Sequence, residues 1–478
     1  KNAFRNIFNL ILIMFNKRYF IRGLKRSLSL FLLVSIAKTD SGDIVEYNFQ
    51  DRISINLINA LVNSVGINSS EIIYPINVYD IQYESINQDG ILDTLAGLVS
   101  IPESPLEAFP ILSYQHGTEI LDENAPSITG MSLNNYETTL IGLIASSSGY
   151  ISIFPDYEGL GDESSFHPYI VADSYTHAVT NMIRAVRSLS FELFENQDFQ
   201  YNNQLFLLGY SEGGYATLAA QRGMQLMNSD EFSVTASFPM AGPYDLAGTM
   251  VDYFLSIPTY SNPYYVPYVL TSHLWTYQGP DVEFSDYFTP FWSDTLPSLF
   301  DGTHSSSVIN QMMPDNPLEI LLPEILEEFE NNENYFFRQS LLENTLLDWS
   351  PNSPTYLYHG MGDDIIPYAN SQIAYDAFLD NGSSDVNLML FPEAVGGHSS
   401  AAITCLLTGF EVMSNFQIIN IKGDFNSDGS LTLIDLSLLL SSLSSEDILS
   451  DFEWWAGDLD YDEDHTIIDI LKIADQLQ

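Results

Sequence analysis

The residues best suited to covalent chemistry stand in "LFLLGYSEGGYATLAAQRG", positions 205–223. Four apolar residues run into Gly209-Tyr210-Ser211-Glu212-Gly213, and a helix-like segment follows at once. A serine hydroxyl is a weak nucleophile at neutral pH. It needs a base to take its proton, and the base needs an acid to orient it. Glycines two residues before and after Ser211 remove Cβ atoms where a strand would turn sharply into a helix, and Gly214 adds room. Downstream, "YHGMGDDIIPY" offers Asp363, and "FPEAVGGHSSAA" offers His398 in a Gly-flanked loop. The spacing H-G-x-x-D-x-x-I-P favours Asp363 over Asp364 as the acid. Acyl transfer also needs donors for a tetrahedral oxyanion. The backbone N–H of Glu212 is one candidate, and the Gly117–Thr118 stretch of "YQHGTE" supplies the other, with Thr118 preferred. Against these roles stand plainer ones: a Gly-rich turn at Ser211, a turn aspartate at 363, a capping histidine at 398. His116, Asp156 and His167 are expected to order loops, the alternative being that Asp156 and His167 line a pocket.

Such residues must be held at the ends of strands. Short apolar runs closing in turn residues fall at 109–117, 149–161, 204–214, 232–242, 354–364 and 386–392. Helical patterns lie between them at Tyr136–Ala145, Ala172–Leu193, Gly214–Met227 and Asn370–Asn381. Apolar strands alternating with amphipathic helices predict a mostly parallel sheet covered on both faces, an α/β fold. In such sheets reactive groups collect at the carboxyl ends of strands. The interval from about 245 to 352 breaks the rhythm and is dense in Tyr, Pro and Leu. A structureless loop of that length is rare in a compact domain, so it is read as an inserted helical cap. Residues 43–88 show no readable pattern.

The charge is uneven. The chain has 15 Lys+Arg against 63 Asp+Glu, and the only basic cluster precedes Asp40, the first acidic residue. Such a surface repels nucleic acid and anionic membranes, which excludes both as partners. The basic start, the apolar run Leu28–Ile36 and Ser35-Ile36-Ala37 read as a secretory signal peptide over 1–37, with Met14 as the true start and 1–13 upstream of it. The alternative is an uncleaved anchor, although the run is short for a bilayer span. No other segment suggests integral membrane association. Cys405 is the single cysteine, so no intramolecular disulfide forms.

These motifs resemble the α/β-hydrolase superfamily over roughly 90–415, and secreted bacterial lipase- and esterase-like members related to the secretory lipases in particular. The likeness rests on "SYQHGT", "FPDYEGLGDESSFHPY", "GYSEGGYATLAAQRG", "AGPYDL" and "HGMGDDIIPY", in that order. It implies an α/β-hydrolase catalytic domain over 38–415, a Ser211–Asp363–His398 triad needing no cofactor, and hydrolysis of lipid, polysaccharide-ester or polyester substrates by an extracellular enzyme. Two further readings stay open. One is a serine peptidase of the prolyl aminopeptidase or oligopeptidase type, with Glu324, Glu327 and Glu328 holding a substrate amine. The other is a non-catalytic binding module on the same fold.

After a linker at 416–422, residues 423–478 carry two copies of one unit, beginning at Gly423 and Gly457. In the first, Asp424, Asn426, Asp428, Ser430, Thr432 and Asp435 occupy positions 1, 3, 5, 7, 9 and 12 of an EF-hand-like loop, with Gly429 at position 6. In the second the same positions hold Asp458, Asp460, Asp462, Asp464, Thr466 and Asp469, but Glu463 replaces the glycine. Alternating oxygen ligands suit Ca2+. The repeat resembles a type I dockerin, a small all-α module, and the resemblance implies calcium binding and docking to a cohesin-type scaffold protein. The plain alternative is a solvated acidic tail.

Overall fold

Apolar strands of this chain feed two cores at once, one on each face of a single sheet. In the computed structural model, the described residues are 41–64, 72–104, 106–132, 135–161, 166–193, 200–443, 449–459 and 464–477. The expected leader at 1–37, with Met14, lies outside them, as do Asp460, Asp462 and Glu463. The antiparallel flank of the sheet is β1 (Ile44–Ile53), β2 (Ile76–Ile86) and β3 (Leu92–Pro102), with α1 (Ile55–Ser64) between the first two. The parallel part comprises β4 (Glu107–Gln115), β5 (Ile151–Pro155), β6 (Gln200–Tyr210), β7 (Ala236–Met240), β8 (Thr355–Gly360) and β9 (Val386–Phe391). Their spatial order is β1-β2-β3-β5-β4-β6-β7-β8-β9.

Period-two side-chain alternation explains the layering. On β6, Leu205 and Leu207 enter one core while Phe206, Leu208 and Tyr210 enter the other. The first core is covered by α3 (Ala172–Leu193) and α4 (Glu212–Met227), and the second by α1, α2 (Tyr136–Ser147) and, further along the chain, the segment carrying Cys405 and Met413. A strand buried on both faces reads as a continuous apolar run, which is why β4 to β8 are visible in the sequence.

The first three strands are not visible, and β2 shows the reason. Ile76 and Val78 face one core, whereas Tyr79, Ile81 and Tyr83 face the other. The buried face changes parity within one strand, so neither strict alternation nor a continuous run appears.

The interval after β7 is helical, and its residues line one side of the cavity at Ser211. Its longer helices are α5 (Tyr265–Gln278), α6 (Pro290–Leu299), α7 (Ser306–Met312), α8 (Pro323–Asn331) and α9 (Phe336–Glu343). The chain then returns through β8, α10 (Ala369–Asp380), β9 and α11 (His398–Ser414). No helix among the described residues is long and apolar enough to cross a membrane.

The expected linker at 416–422 is not a free tether. Gln204 on β6 donates to Phe416 O (2.8 Å) and accepts from Ile418 N (2.7 Å). Residues Asn420–Ile421 form β10, antiparallel to β4. The helices that follow are α12 (Leu433–Ser442), α13 (Asp451–Gly457) and α14 (Ile467–Gln476). Ala108 of β4 packs into their small core with Phe425, Trp455 and Ile473. The tail therefore continues the hydrolase sheet.

Asn202 is the polar rivet of this junction. Its buried Nδ2 donates to Ile418 O (2.7 Å) and Asn420 Oδ1 (2.8 Å). Asn420 in turn donates to Asp424 Oδ2 (2.7 Å). Asn202→Ala leaves buried acceptors unpaired and should destabilise the protein by about 1–3 kcal/mol, read as a lower urea midpoint.

His273 on α5 links the cap to the site-bearing loops. Its Nδ1 pairs with Ser340 Oγ on α9 (2.9 Å), and its Nε2 with Ile170 O (3.3 Å). Burial pushes its imidazole down to about 4. An unfolded histidine protonates near 6.5, so the unfolded state gains protons first as pH falls. The stability carried by neutral His273 is full above that value and drains away toward pH 4. His273→Gln, which cannot titrate, should flatten the fall in melting temperature between pH 7 and pH 5 relative to the wild type.

Candidate active site

Ser211 sits between the last residue of β6 and the first turn of α4, at φ 63° and ψ −124°. A non-glycine residue in this region is strained, and it persists only where its surroundings fix it. The surroundings are backbone. A Cβ on Gly209 would overlap the Gly213 carbonyl, one on Gly213 the Gln115 carbonyl, and one on Gly214 the Met240 carbonyl. Ser211 N–H donates to Met240 O (2.9 Å), and Ser211 O accepts from Tyr215 N–H (3.1 Å). The three glycines thus let the helix start dock against the ends of β4 and β7, as the spacing requires.

His398 opens α11, and its Nε2 lies 2.8 Å from Ser211 Oγ. Its Nδ1 lies 2.5 Å from Asp363 Oδ2. Asp363 follows β8, and its Oδ1 accepts from Ile365 N–H (2.9 Å) and Ile366 N–H (2.8 Å). Burial alone would raise the Asp363 carboxyl; hydrogen bonds from His359 and His398 outweigh it and hold the group well below the usual carboxylate range. Asp364 acts separately, through its Oδ1, which accepts His398 N–H (3.0 Å) and caps the helix start. Tyr210 OH donates to His398 O (2.7 Å). The structure therefore brings together Ser211, His398 and Asp363, three residues from three separate strand ends. Tyr210, Asp364 and His359 are contacts that sequence reasoning missed. For His359 the signal was present, because it is the first residue of the spacing that singled out Asp363.

Around the opposite side of Ser211 lies the 116–119 loop. Gly117 N–H donates to Glu137 Oε1 (3.2 Å). It is already occupied, which corrects its candidacy as an oxyanion donor. Thr118 N–H and Glu212 N–H have no partner among the described residues. The Thr118 hydroxyl meets Tyr169 OH at 3.0 Å. Both ring nitrogens of His116 face carbonyls, Gly117 O (2.8 Å) and Asp156 O (3.3 Å), and its ring stacks on Tyr157. Asp156 accepts from Ser127 N–H (2.8 Å) and from the Ser127 hydroxyl. Both are loop-ordering groups. His167 is more than that. Its Nε2 lies 3.0 Å from the buried carboxylate of Glu212, which also accepts from Tyr175 OH (2.8 Å). The side chain of Glu212, a residue of which the sequence singled out only the backbone N–H, is buried beside Ser211.

Ser211 opens into a cavity under the cap. Its lining is apolar or aromatic almost throughout, including Tyr169, Leu246, Phe254, Tyr265, Phe329 and Ile366. Helix α8 turns Phe329 inward and leaves Glu324, Glu327 and Glu328 in solvent. The carboxylates invoked for holding a substrate amine are absent from the cavity wall.

In the tail, the first acidic loop closes on itself. Asp424 accepts from Asp428 N–H (3.2 Å) and Gly429 N–H (2.9 Å), and Gly429 adopts φ 82°. Asp435 accepts from Asn426 N–H (3.1 Å) and Thr432 N–H (2.8 Å). Asn426 accepts from Asp428 N–H (3.2 Å), and Asp428 from Ser430 N–H (2.9 Å). In the second loop Asp469 accepts from Leu459 N–H (2.8 Å) and Thr466 N–H (2.8 Å), and Asp458 is buried. Asp464 Oδ1 accepts from His465 N–H (3.0 Å). No three acidic or histidine side chains among the described residues converge as a metal-ligating group. Burial raises the Asp424 carboxyl, hydrogen bonds from Asn420, Gly429 and Asp428 work against that, and the nearby Asp435 charge adds to the rise.

Comparison with known proteins defines the class. The sequence profile of the secretory lipase family matches residues 125–226, a stretch that contains the Ser211 elbow. The secreted triacylglycerol lipase LIP3 of Malassezia globosa is 30% identical over 63 residues, 13% of this chain and 14% of that protein's length. The rice cell wall degrading esterase LipA of Xanthomonas oryzae superposes with TM-score 0.67 at 27% identity, covering 77% of this chain and 95% of LipA. A protein of Legionella pneumophila superposes with TM-score 0.70 at 27% identity, covering 78% of this chain and 98% of that one. Candida antarctica lipase A shares the fold, with TM-score 0.59 at 17% identity over 80% of this chain and 83% of that one. The fold is that of an α/β hydrolase, and these likenesses support a carboxylic ester hydrolase of lipase or esterase type.

Proposed function

We propose that this chain is an extracellular serine carboxylesterase or lipase acting on esters with an apolar acyl or aromatic group. One observation carries the reading: the hydrogen-bonded series Ser211–His398–Asp363 opens on an apolar cavity under a cap. Ser211 Oγ attacks the ester carbonyl carbon as its proton passes to His398 Nε2. Asp363 fixes the ring by accepting from Nδ1–H. The carbonyl oxygen becomes an oxyanion held by the N–H groups of Glu212 and Thr118. The tetrahedral adduct collapses, the C–O bond to the alcohol breaks, and His398 gives its proton to the departing oxygen. Water then attacks the acyl-enzyme by the same proton route, releasing the acid and restoring Ser211. The apolar wall favours this over the aminopeptidase reading, and the completeness of the series favours it over a non-catalytic module. Export through residues 1–37 accords with the secretory lipase likeness.

A panel of p-nitrophenyl esters beside aminoacyl-naphthylamides tests the reading. Ester hydrolysis is expected, with a loss of at least about 10³-fold in kcat for Ser211→Ala. Hydrolysis at the wild-type rate by Ser211→Ala would sink it.

We also propose that the tail binds Ca2+, with Asp424, Asn426, Asp428, Ser430, Thr432 and Asp435 as the first ligand set. Support comes from the buried like-charged pair Asp424 and Asp435, which a divalent ion would neutralise. In the second loop Asp458, Asp464, Thr466 and Asp469 would contribute. A cohesin-type partner has no support beyond this resemblance. Ca2+ should raise the melting temperature, and chelator should lower it while ester hydrolysis at 25 °C persists. A melting temperature indifferent to Ca2+ argues against the site.

A further inference from the structure

Asp363 is approached by two histidines, not one. Its Oδ2 lies 2.5 Å from His398 Nδ1 and 3.1 Å from His359 Nε2. Both the Asp363 and His359 side chains are fully buried. His359 Nε2 also lies 3.0 Å from Ile366 O. A carbonyl and an ionised carboxylate only accept, so His359 Nε2 carries a proton whatever the charge of the ring. On the far side of the ring, Nδ1 meets Ser371 Oγ at 2.8 Å, which fixes the ring plane. With the two backbone donors on Oδ1, the Asp363 carboxylate receives four hydrogen bonds.

We propose that His359 is a positioning residue for the same reaction: its Nε2–H competes with His398 for Asp363 Oδ2 and so sets how strongly that carboxylate holds the His398 imidazole. This rests on the reading of Ser211, His398 and Asp363 as the reacting groups. A carboxylate that spends acceptor strength on a second donor is a weaker partner for the imidazolium that forms during attack. Ester hydrolysis needs His398 neutral before attack, and an unshared Asp363 would favour the charged ring too early. His359 thus keeps the base available at lower pH.

The other groups facing this cluster do not blur the effect. Asp364 adjoins it on the same loop, His398 and Cys405 come from α11, and Tyr210 from β6. Tyr253, Tyr260 and Tyr265 face it from the cap. Burial raises all of these tyrosines, and it raises the Cys405 thiol to about 12, so none of them changes charge near neutrality.

The test is the pH profile of kcat/KM on a p-nitrophenyl ester for wild type, His359→Leu and His359→Gln, with Ser211→Ala as control. His359→Leu removes the competing donor, and its acidic limb should move up by ~0.5–1 pH unit. His359→Gln presents an amide N–H at the same reach and should restore the wild-type limb. A merely structural histidine gives a different pattern: kcat falls in His359→Leu while the limb stays where it was, and that result overturns the proposal. Should His359→Leu not fold, Ser371→Ala weakens the same donor without emptying the core. It should move the limb in the same direction by a smaller amount, and an unmoved limb there overturns the proposal equally. Undiminished hydrolysis by Ser211→Ala would bring down the triad reading itself, and shows before any pH limb is compared.

Discussion

Backbone packed on backbone around Ser211 is the constraint on which the rest of this molecule depends. The start of α4 comes so close to the ends of β4 and β7 that Gly213 and Gly214 have no space for a Cβ. That approach forces Ser211 into its left-handed conformation. It also leaves the Glu212 N–H, at the helix start, without a partner among the described residues. The same contact fixes where β4 ends, and so where the 116–119 loop begins. Ser211, the helix start and the loop after β4 are set by one close approach. The strain at Ser211 is tolerated because two well-packed cores on opposite faces hold the sheet beneath it.

The cap and the tail stand in different relations to that centre. The cap reaches it directly. Ile170 adopts φ 58°, unusual for a β-branched residue, while Tyr175 OH receives its N–H (3.0 Å) and His273 of the cap faces its carbonyl. Tyr169, its neighbour, stacks on Tyr268 of α5 and meets the Thr118 hydroxyl. The 167–172 strap therefore ties the cap to the loops around Ser211. The tail attaches at the opposite, amino-terminal ends of β4 and β6, through Ala108, Asn202 and Gln204. A change in the acidic loops reaches the sheet through Asn420 and Asn202, far along the strands from Ser211.

What could be read from the sequence follows from this arrangement. The central strands were legible because burial on both faces makes them plain apolar runs, and Ser211 and Asp363 because each follows such a run, whereas His398 stood out by its Gly-flanked loop. The flank was not, because β2 buries different faces along its length. The Gly117 N–H looked free because Glu137, its partner, is twenty residues away on α2. The linker looked free because its anchors, Asn202 and Gln204, lie more than two hundred residues earlier. Spacing reports what neighbours in the chain must do. It does not report which distant side chain will occupy a donor.

Glu212 is the sharpest case. A lone negative charge beside Ser211 would oppose the oxyanion that the proposed reaction forms there. The structure answers with His167. Its Nδ1 faces Glu158 O at 2.7 Å and must carry a proton, since a carbonyl only accepts. Its Nε2 faces Glu212 Oε1 at 3.0 Å, so one more proton has to lie between the two. Placed on the ring, it makes an ion pair; placed on the carboxyl, it makes two neutral groups. Either way the pair carries no net charge. Tyr175 OH adds a donor to the same oxygen and needs no proton exchange to do so. The acidic residue next to Ser211 is thereby given partners of its own, and its backbone N–H is the part of Glu212 that the proposed reaction uses.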